Sequence, residues 1–269
     1  MSTFLVAAVQ MNSQPDLAHN MNQAYDLIKK SAAEGAKFIA LPENFAFLGD
    51  EKARLEQAGT ISDTVAESLP AWAKEFNIHL LGGGYPVKTD NGKMYNRAVL
   101  VNPGGKFVAS YDKIHLFDVE LSQTEHYRES DVVQGGARVA VIYDIEGLAR
   151  IGLSICYDVR FPELYRKLAD AGAELLCIPS AFTRPTGKAH WEILLRSRAI
   201  ENSCYVIAPA QTGKHGKKRE TYGHSLIVDP WGTVLANAGT EPGFVIAEFD
   251  HETLNDVRRK LPSLKHRVL

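Results

Sequence analysis

Apolar residues crowd positions 3–11, "TFLVAAVQM", in the manner of a buried strand. Leu17, Met21, Ala24, Ile28 and Ala32 then share one helical face that stops just before Gly35. "KFIALPE" predicts a second strand, ending in Glu43. "DTVAESLPAWAKEFN" predicts a helix that the internal Pro70 should kink or split. Strands follow at "IHLLGGGYPV" and "YNRAVLVNP", and Gly104-Gly105 turns the latter into "KFVASYDKIHL", a hairpin. After an irregular stretch, "RVAVIYDIEGLARIGLSIC" reads as a second hairpin. "FPELYRKLADAGA" and "AHWEILLRSRAIENS" predict helices, each leading into a strand, "ELLCIPSA" and "CYVIAPAQ". "SLIVDPWGTVLANA" predicts a hairpin turned by Pro230 and Gly232, and "HETLNDVRRKLP" a closing helix behind an acidic cap. Helices interleaved with strands at both ends, and hairpins between, predict an α/β fold with mixed sheets. No linker composition or repeat interrupts residues 1–269, so a single domain is expected.

Composition narrows the function. Apolar residues make up 45% and charged ones 23%, enough for a sizeable core. The net charge of −2 and the lack of a basic, aromatic-laced run speak against nucleic acid as a partner. No segment has the apolar length of a membrane span, and the first residues lack the basic start of a signal peptide. Cys156, Cys177 and Cys204 are odd in number and lack C-x-x-C spacing, which argues against a disulfide framework or a zinc site. A reducing compartment, the cytoplasm, is the expectation.

The candidate chemistry begins at "IGLSICYDVRFPEL" (151–164). An apolar strand runs into Cys156, and Pro162-Glu163 opens a helix directly afterwards. Such a corner lies near free backbone N–H groups, a setting that lowers a thiol pKa and favours a nucleophile. Cys177 and Cys204 sit among strand apolar residues and read as small buried hydrophobes. Glu43 and Lys113 each end a strand, where ligands of open α/β sheets gather. Taken singly, each also reads as a solvated charge. If the three meet, Glu43, its pKa raised in a dry pocket, takes the thiol proton; the thiolate attacks; and Lys113 steadies the oxyanion.

Other features carry less. Gly82-Gly83-Gly84 lacks the residues of a phosphate loop and suits a close backbone passage. The basic loop "GKHGKKRE" (213–220) reads as a solvated connection, the alternative being a patch that attracts an acidic substrate. Residues 191, 194, 195 and 199 form a helical stripe suited to a core or a subunit interface. His115 and His224 keep a Cys–His hydrolase open as a rival reading. Asp158 and Arg160 read either as an ion pair holding the corner or, for Arg160, as a ligand of a substrate carboxylate.

Three segments together resemble the signatures of the nitrilase superfamily of carbon–nitrogen hydrolases, in that family's order: "LPENF", "YDKIHLFD" and "ICYDVRFPEL". "PSAF", "TGKAHWEILLRSRAIENSCYV" and "YGHSLIVDPWG" extend the resemblance toward its Nit branch. The resemblance implies a four-layer α-β-β-α sandwich, assembled as a homodimer or larger form, with no cofactor and no metal. It implies catalytic Glu43, Lys113 and Cys156, with a fourth acid, Glu129, to which Glu120 and Glu125 are alternatives. Tyr157, Arg160, Phe182 and Thr183 are the implied substrate-binding residues, and the backbone N–H of Tyr157 would join Lys113 in the oxyanion site. The implied substrate is a small-molecule amide. "VRFPEL" and the 209–232 segment are more similar to the branch acting on deaminated glutathione than to the ω-amidases acting on α-ketoglutaramate. A non-catalytic scaffold of the same fold is the remaining alternative.

Overall fold

The computed structural model describes residues 3–121, 123, 126–216 and 219–268. The first half of the chain runs β1 (Phe4–Gln10), α1 (Leu17–Ala33), β2 (Ala36–Ala40), α2 (Glu51–Glu56), α3 (Ala58–Phe76), β3 (His79–Lys88), β4 (Met94–Val101) and β5 (Phe107–Asp112). A small ribbon, β6 (Asp118–Glu120) and β7 (His126–Arg128), leads to the hairpin β8 (Val141–Ile145) and β9 (Ala149–Leu153). Then come α4 (Pro162–Asp170), β10 (Leu175–Cys177), α5 (Arg184–Asn202), β11 (Tyr205–Ala208), β12 (Thr212–His215) and β13 (Arg219–Tyr222). The chain ends with β14 (Leu226–Val228), β15 (Val234–Asn237), β16 (Gly243–Phe249) and α6 (His251–Lys260).

Two six-stranded mixed sheets result, ordered β16-β1-β2-β3-β4-β5 and β15-β14-β11-β10-β9-β8. Alternation along β1 shows how they stack. Val6 and Ala8 face the second sheet, in one core with Leu153, Leu176 and Ile207. Ala7 and Val9 face the other way, onto Met21, Ala24 and Ile28 of α1 and Ile61, Val65 and Leu69 of α3. Trp191, Leu195 and Ala199 of α5 and Leu164 and Leu168 of α4 cover the second sheet's outer face. The molecule is therefore an α-β-β-α sandwich.

Several elements depart from the sequence expectation. α3 passes through Pro70 as one helix and begins earlier than expected. Proline removes a donor to the carbonyl of Ala66, which lies on the exposed face. β16, unrecognised in the sequence, adds an antiparallel edge strand beside β1 over Gly243–Phe249. The stretch read as irregular contains β6 and β7, and the loop read as solvated contains the hairpin β12–β13. The strand "KFIALPE" ends at Ala40, so Glu43 stands in the turn beyond it. Position 82 to 84 is a close passage, as expected: a Cβ on Gly83 would lie 2.3 Å from the Pro42 carbonyl oxygen, and one on Gly84 would lie 2.1 Å from Asn96 Oδ1. Side chains there would push the Glu43 turn off the sheet. The stripe at 191, 194, 195 and 199 is core at Trp191, Leu195 and Ala199, whereas Ile193 and Ile200 on the same helix are exposed.

Candidate active site

Four turns converge where the two sheets meet. Glu43 follows β2, Lys113 follows β5, Glu129 opens a 3₁₀ turn after β7, and Cys156 opens another after β9. Cys156 has φ of 49°, the left-handed region that a residue with a Cβ rarely adopts. Its N–H donates to the Pro179 carbonyl at 2.9 Å, and Arg198 of α5 holds the next turn by donating to the Val159 carbonyl at 2.9 Å. Strain of this kind persists only where surroundings over-determine it, and it collects at functional sites.

Asp158 does much of that fixing. It is fully buried and accepts from the Ile155 N–H at 2.9 Å, the Tyr111 hydroxyl at 2.7 Å and the His115 N–H at 3.1 Å, with His115 Nδ1 2.7 Å away. Tyr111 and His115 flank Lys113, so this one carboxylate ties the lysine turn to the cysteine turn. The ion pair weighed between Asp158 and Arg160 does not form. Arg160 instead lies over the rings of Tyr157 and Phe182, at 5.8 and 5.4 Å, near His190.

The charges on the pocket floor satisfy one another. Lys113 Nζ, with a side chain only 2% exposed, donates to Glu43 Oε1 at 3.0 Å and to Glu129 Oε2 at 2.9 Å. Glu43 Oε2 accepts the Ala181 N–H at 2.9 Å, and Glu129 Oε2 the Phe117 N–H at 2.7 Å. Asn96 Nδ2 donates to Glu43 at 2.9 Å and also reaches Glu129, at 3.3 Å. Of the alternative acids, Glu120 is exposed and pairs with Arg128, and Glu125 lies outside the described residues. Glu43, Lys113, Glu129 and Cys156 line one pocket, and so do Tyr157, Arg160, Phe182 and Thr183. Neither His115 nor His224 lines it, which leaves the Cys–His reading without a histidine at the thiol. His115 stacks on Phe161, and His224 on Tyr222.

Residues 5–259 match the carbon–nitrogen hydrolase family. The chain is 49% identical to a deaminated glutathione amidase of Synechocystis over 100% of its own length and 99% of that protein's. It is 42% identical to the human protein of that name, over 98% of this chain and 82% of that one. The chain belongs to the carbon–nitrogen hydrolase family. The fold agrees: the Caenorhabditis elegans NitFhit crystal structure superposes with a TM-score of 0.94 at 38% identity, covering all of this chain and 66% of that longer one. A Saccharomyces cerevisiae member of branch 10 of the nitrilase superfamily superposes at 0.88 with 32% identity, over 99% of this chain and 97% of that one.

The electrostatics of this hydrolase correct two expectations. Burial alone would raise the Glu43 pKa, but the Lys113 ammonium, the Arg219 guanidinium and hydrogen bonds outweigh it and hold the carboxyl below its ordinary value. Burial and the neighbouring Glu43 carboxylate push the Cys156 thiol up, not down, against the pull of Lys113. Lys113 itself is held ammonium: burial opposes the charge, and the Glu129 and Glu43 carboxylates restore it. At rest the site is a carboxylate, an ammonium and a neutral thiol. Neither the strand-to-helix corner nor the dry pocket by itself carries the charges that tertiary contact brings to Glu43 and Cys156.

Asn96, Arg54 and Arg219 were not recognised in the sequence. Asn96 carried a signal: it takes an inward position of alternating β4, between buried Met94 and Ala98. Arg219, counted with the solvated loop, points into the pocket. Its neighbours Lys217 and Lys218 lie outside the described residues. Among the described residues no cluster of His, Cys, Asp and Glu is arranged to hold a metal, and no helix is long and apolar enough to cross a membrane.

Proposed function

We propose that this hydrolase cleaves the amide of deaminated glutathione, giving 2-oxoglutarate and Cys-Gly, through a thioester on Cys156. The observation that carries the mechanism is the buried Glu43–Lys113–Glu129 set beside a strained, neutral Cys156. As the substrate carbonyl arrives, Sγ forms the C–S bond while its proton passes to Glu43. Lys113 and the Tyr157 N–H, at the start of a 3₁₀ turn where N–H groups lack helical acceptors, stabilise the oxyanion. Collapse breaks the C–N bond, and Glu43 returns the proton to the departing amine. Water then attacks the thioester, Glu43 takes its proton, and the thiol leaves reprotonated. Glu129 holds the Lys113 ammonium and so serves as a positioning residue. A carboxylate already ionised at neutral pH and a thiol that stays protonated until attack suit a concerted transfer.

The substrate assignment draws its support from relatives of that name at 42–49% identity. A related Nesterenkonia amidase, 27% identical with a TM-score of 0.82, has been seen as a glutamate-to-glutamine mutant after Michael addition of acrylamide at its active-site cysteine. The deciding measurement is kcat/KM for deaminated glutathione beside α-ketoglutaramate. A preference for the first supports the proposal, and a clear preference for α-ketoglutaramate transfers the protein to the ω-amidases. An acyl adduct on Cys156 by mass spectrometry separates either enzyme from a scaffold.

The same reading takes residues 1–269 as one domain working in the cytoplasm, where three free thiols persist. It also takes the protein as a homodimer or larger form. Ile193 is 67% exposed and Trp231 60%, apolar surface that a second copy would cover. A sedimentation mass of one 29.7 kDa chain at micromolar concentration would count against association.

A further inference from the structure

The turn that carries Glu43 is held from behind by polar side chains that do not line the pocket. Gln211, just before β12, and Ser13, in the loop after β1, are both fully buried. Gln211 Nε2 donates to the Glu43 carbonyl at 3.1 Å and to Ser13 Oγ at 2.8 Å, and Gln211 Oε1 accepts the Ser13 N–H at 3.0 Å. Ser13 Oγ donates in turn to the Phe45 carbonyl at 2.9 Å, and the Ser13 carbonyl accepts from His215 Nδ1 at 2.7 Å. Every polar atom of the two side chains has a partner, and that set of partners fixes which way the amide faces. The Gln211 main chain reaches the same glutamate by a second route. Its N–H donates to the Ser180 carbonyl at 2.9 Å, and the same peptide unit offers the Ala181 N–H to Glu43 Oε2 at 2.9 Å. The two bonds polarise one peptide in the same sense, so each strengthens the other.

We propose that Gln211, braced by Ser13, is a positioning residue for the general base: it fixes the Glu43 main chain directly and the Glu43 carboxylate through the Ser180–Ala181 peptide. Glu43 lies beyond the end of β2, and its neighbour Asn44 has φ of 60°, so the turn depends on its surroundings for its shape. The carboxylate has to meet Sγ, then the departing amine, then water, within hydrogen-bond reach each time. A misplacement of about 1 Å, caused far from the chemistry, can cost about a hundredfold in rate. An apolar pair could fill the space of Gln211 and Ser13, but it would leave the Glu43 and Phe45 carbonyls without these donors. The inference rests on Glu43 as the base and adds what aims it.

Gln211→Met keeps the length of the side chain and removes its donors and its acceptor. The substrate for the test is whichever of deaminated glutathione and α-ketoglutaramate the unsubstituted protein turns over faster. Gln211→Met should lower kcat by about tenfold to a hundredfold while KM stays within about threefold. Ser13→Ala should lower kcat less, by about threefold to tenfold, again with KM held. A second measurement follows alkylation of Cys156 by iodoacetamide above neutral pH, because the Glu43 carboxylate raises the pKa of that thiol. Gln211→Met should speed alkylation in the otherwise unsubstituted protein and leave it unchanged in the Glu43→Gln protein. Should Gln211→Met fail to fold, Ser13→Ala carries the same two measurements. An unchanged kcat in the folded variants, or a loss that falls mainly on KM, overturns the proposal. So does alkylation that is not accelerated, or that is accelerated equally in both proteins, since the latter is a general loosening and not a movement of Glu43. Single-turnover thioester formation by Glu43→Gln, measured separately, judges the base assignment alone.

Discussion

On the floor of the pocket Lys113, Glu43, Glu129 and Asn96 hold one another within 2.9–3.3 Å, whereas on the wall Arg54, Glu51 and Arg219 stand close and leave buried atoms without partners. Both regions are charged; the floor is buried, whereas the wall reaches solvent at Glu51 and Arg219. The charges of the floor are paired before any ligand arrives, as preorganised electrostatics require, although Asn96 Oδ1 has no partner among the described residues. The wall is incomplete: Arg54 Nε, Arg54 Nη2 and Arg219 Nε have no hydrogen-bond partner among the described residues. The buried charges of the floor are paired in the empty protein, and those of the wall only in part.

The largest effects should come from breaking the floor. Cys156→Ser should abolish turnover with the fold intact, and Cys177→Ser, at a buried strand position, should lower stability while turnover persists. Near-normal hydrolysis by Cys156→Ser would sink the mechanism. Lys113→Met should raise the barrier by about 3–4 kcal/mol for the lost oxyanion donor. It should also cost about 3–5 kcal/mol of stability, because two buried carboxylates lose their cation. Chemical denaturation and single-turnover kinetics read the two losses separately. Asn96→Ala removes a donor from both carboxylates and should cost about 1–3 kcal/mol of stability. An unchanged denaturation midpoint would mean the floor is less tightly knit than the distances imply.

Glu43→Gln sharpens the comparison through protons. The carboxylate raises the Cys156 pKa, so its removal should speed alkylation of Cys156 by iodoacetamide above neutral pH even as turnover stops. Slower alkylation would place the thiol outside the influence of Glu43. The stability lost in Glu43→Gln should depend on pH in a stated direction. The folded pKa of Glu43 lies below its ordinary 4.5, so its contribution is complete above 4.5 and fades as pH falls through the folded value. Lys113 is raised above 10.5, so its contribution is complete below that and fades only at higher pH. The smallest effect concerns the wall. Salt screens exposed charges far more than buried ones, so added salt should lower kcat/KM for an anionic amide by no more than about twofold unless exposed charge draws it in. A steep loss would give the role to Lys214, exposed on the 213–220 loop.

The sequence by itself determined the order of the strands and helices around the site, because burial imposes periods of 2 and 3.6 that survive in a single chain. It also put Glu43, Lys113 and Cys156 at the ends of strands, since apolar runs that end abruptly in a polar residue are visible without a partner; the structure sets each one beyond its strand. It did not reveal β16, whose mostly half-buried edge positions leave little alternation, or the short ribbons, whose pairing depends on chain brought in from elsewhere. Tertiary structure alone decided that Asp158 joins the Tyr111–His115 turn rather than Arg160, that Asn96 bridges two carboxylates, and that Arg219 turns inward beside Arg54 and Glu51. It also decided the protonation of the site. A pKa is the sum of burial and of charges contributed by residues far apart in sequence, 70 positions in the case of Glu43 and Lys113, and no local segment carries that sum.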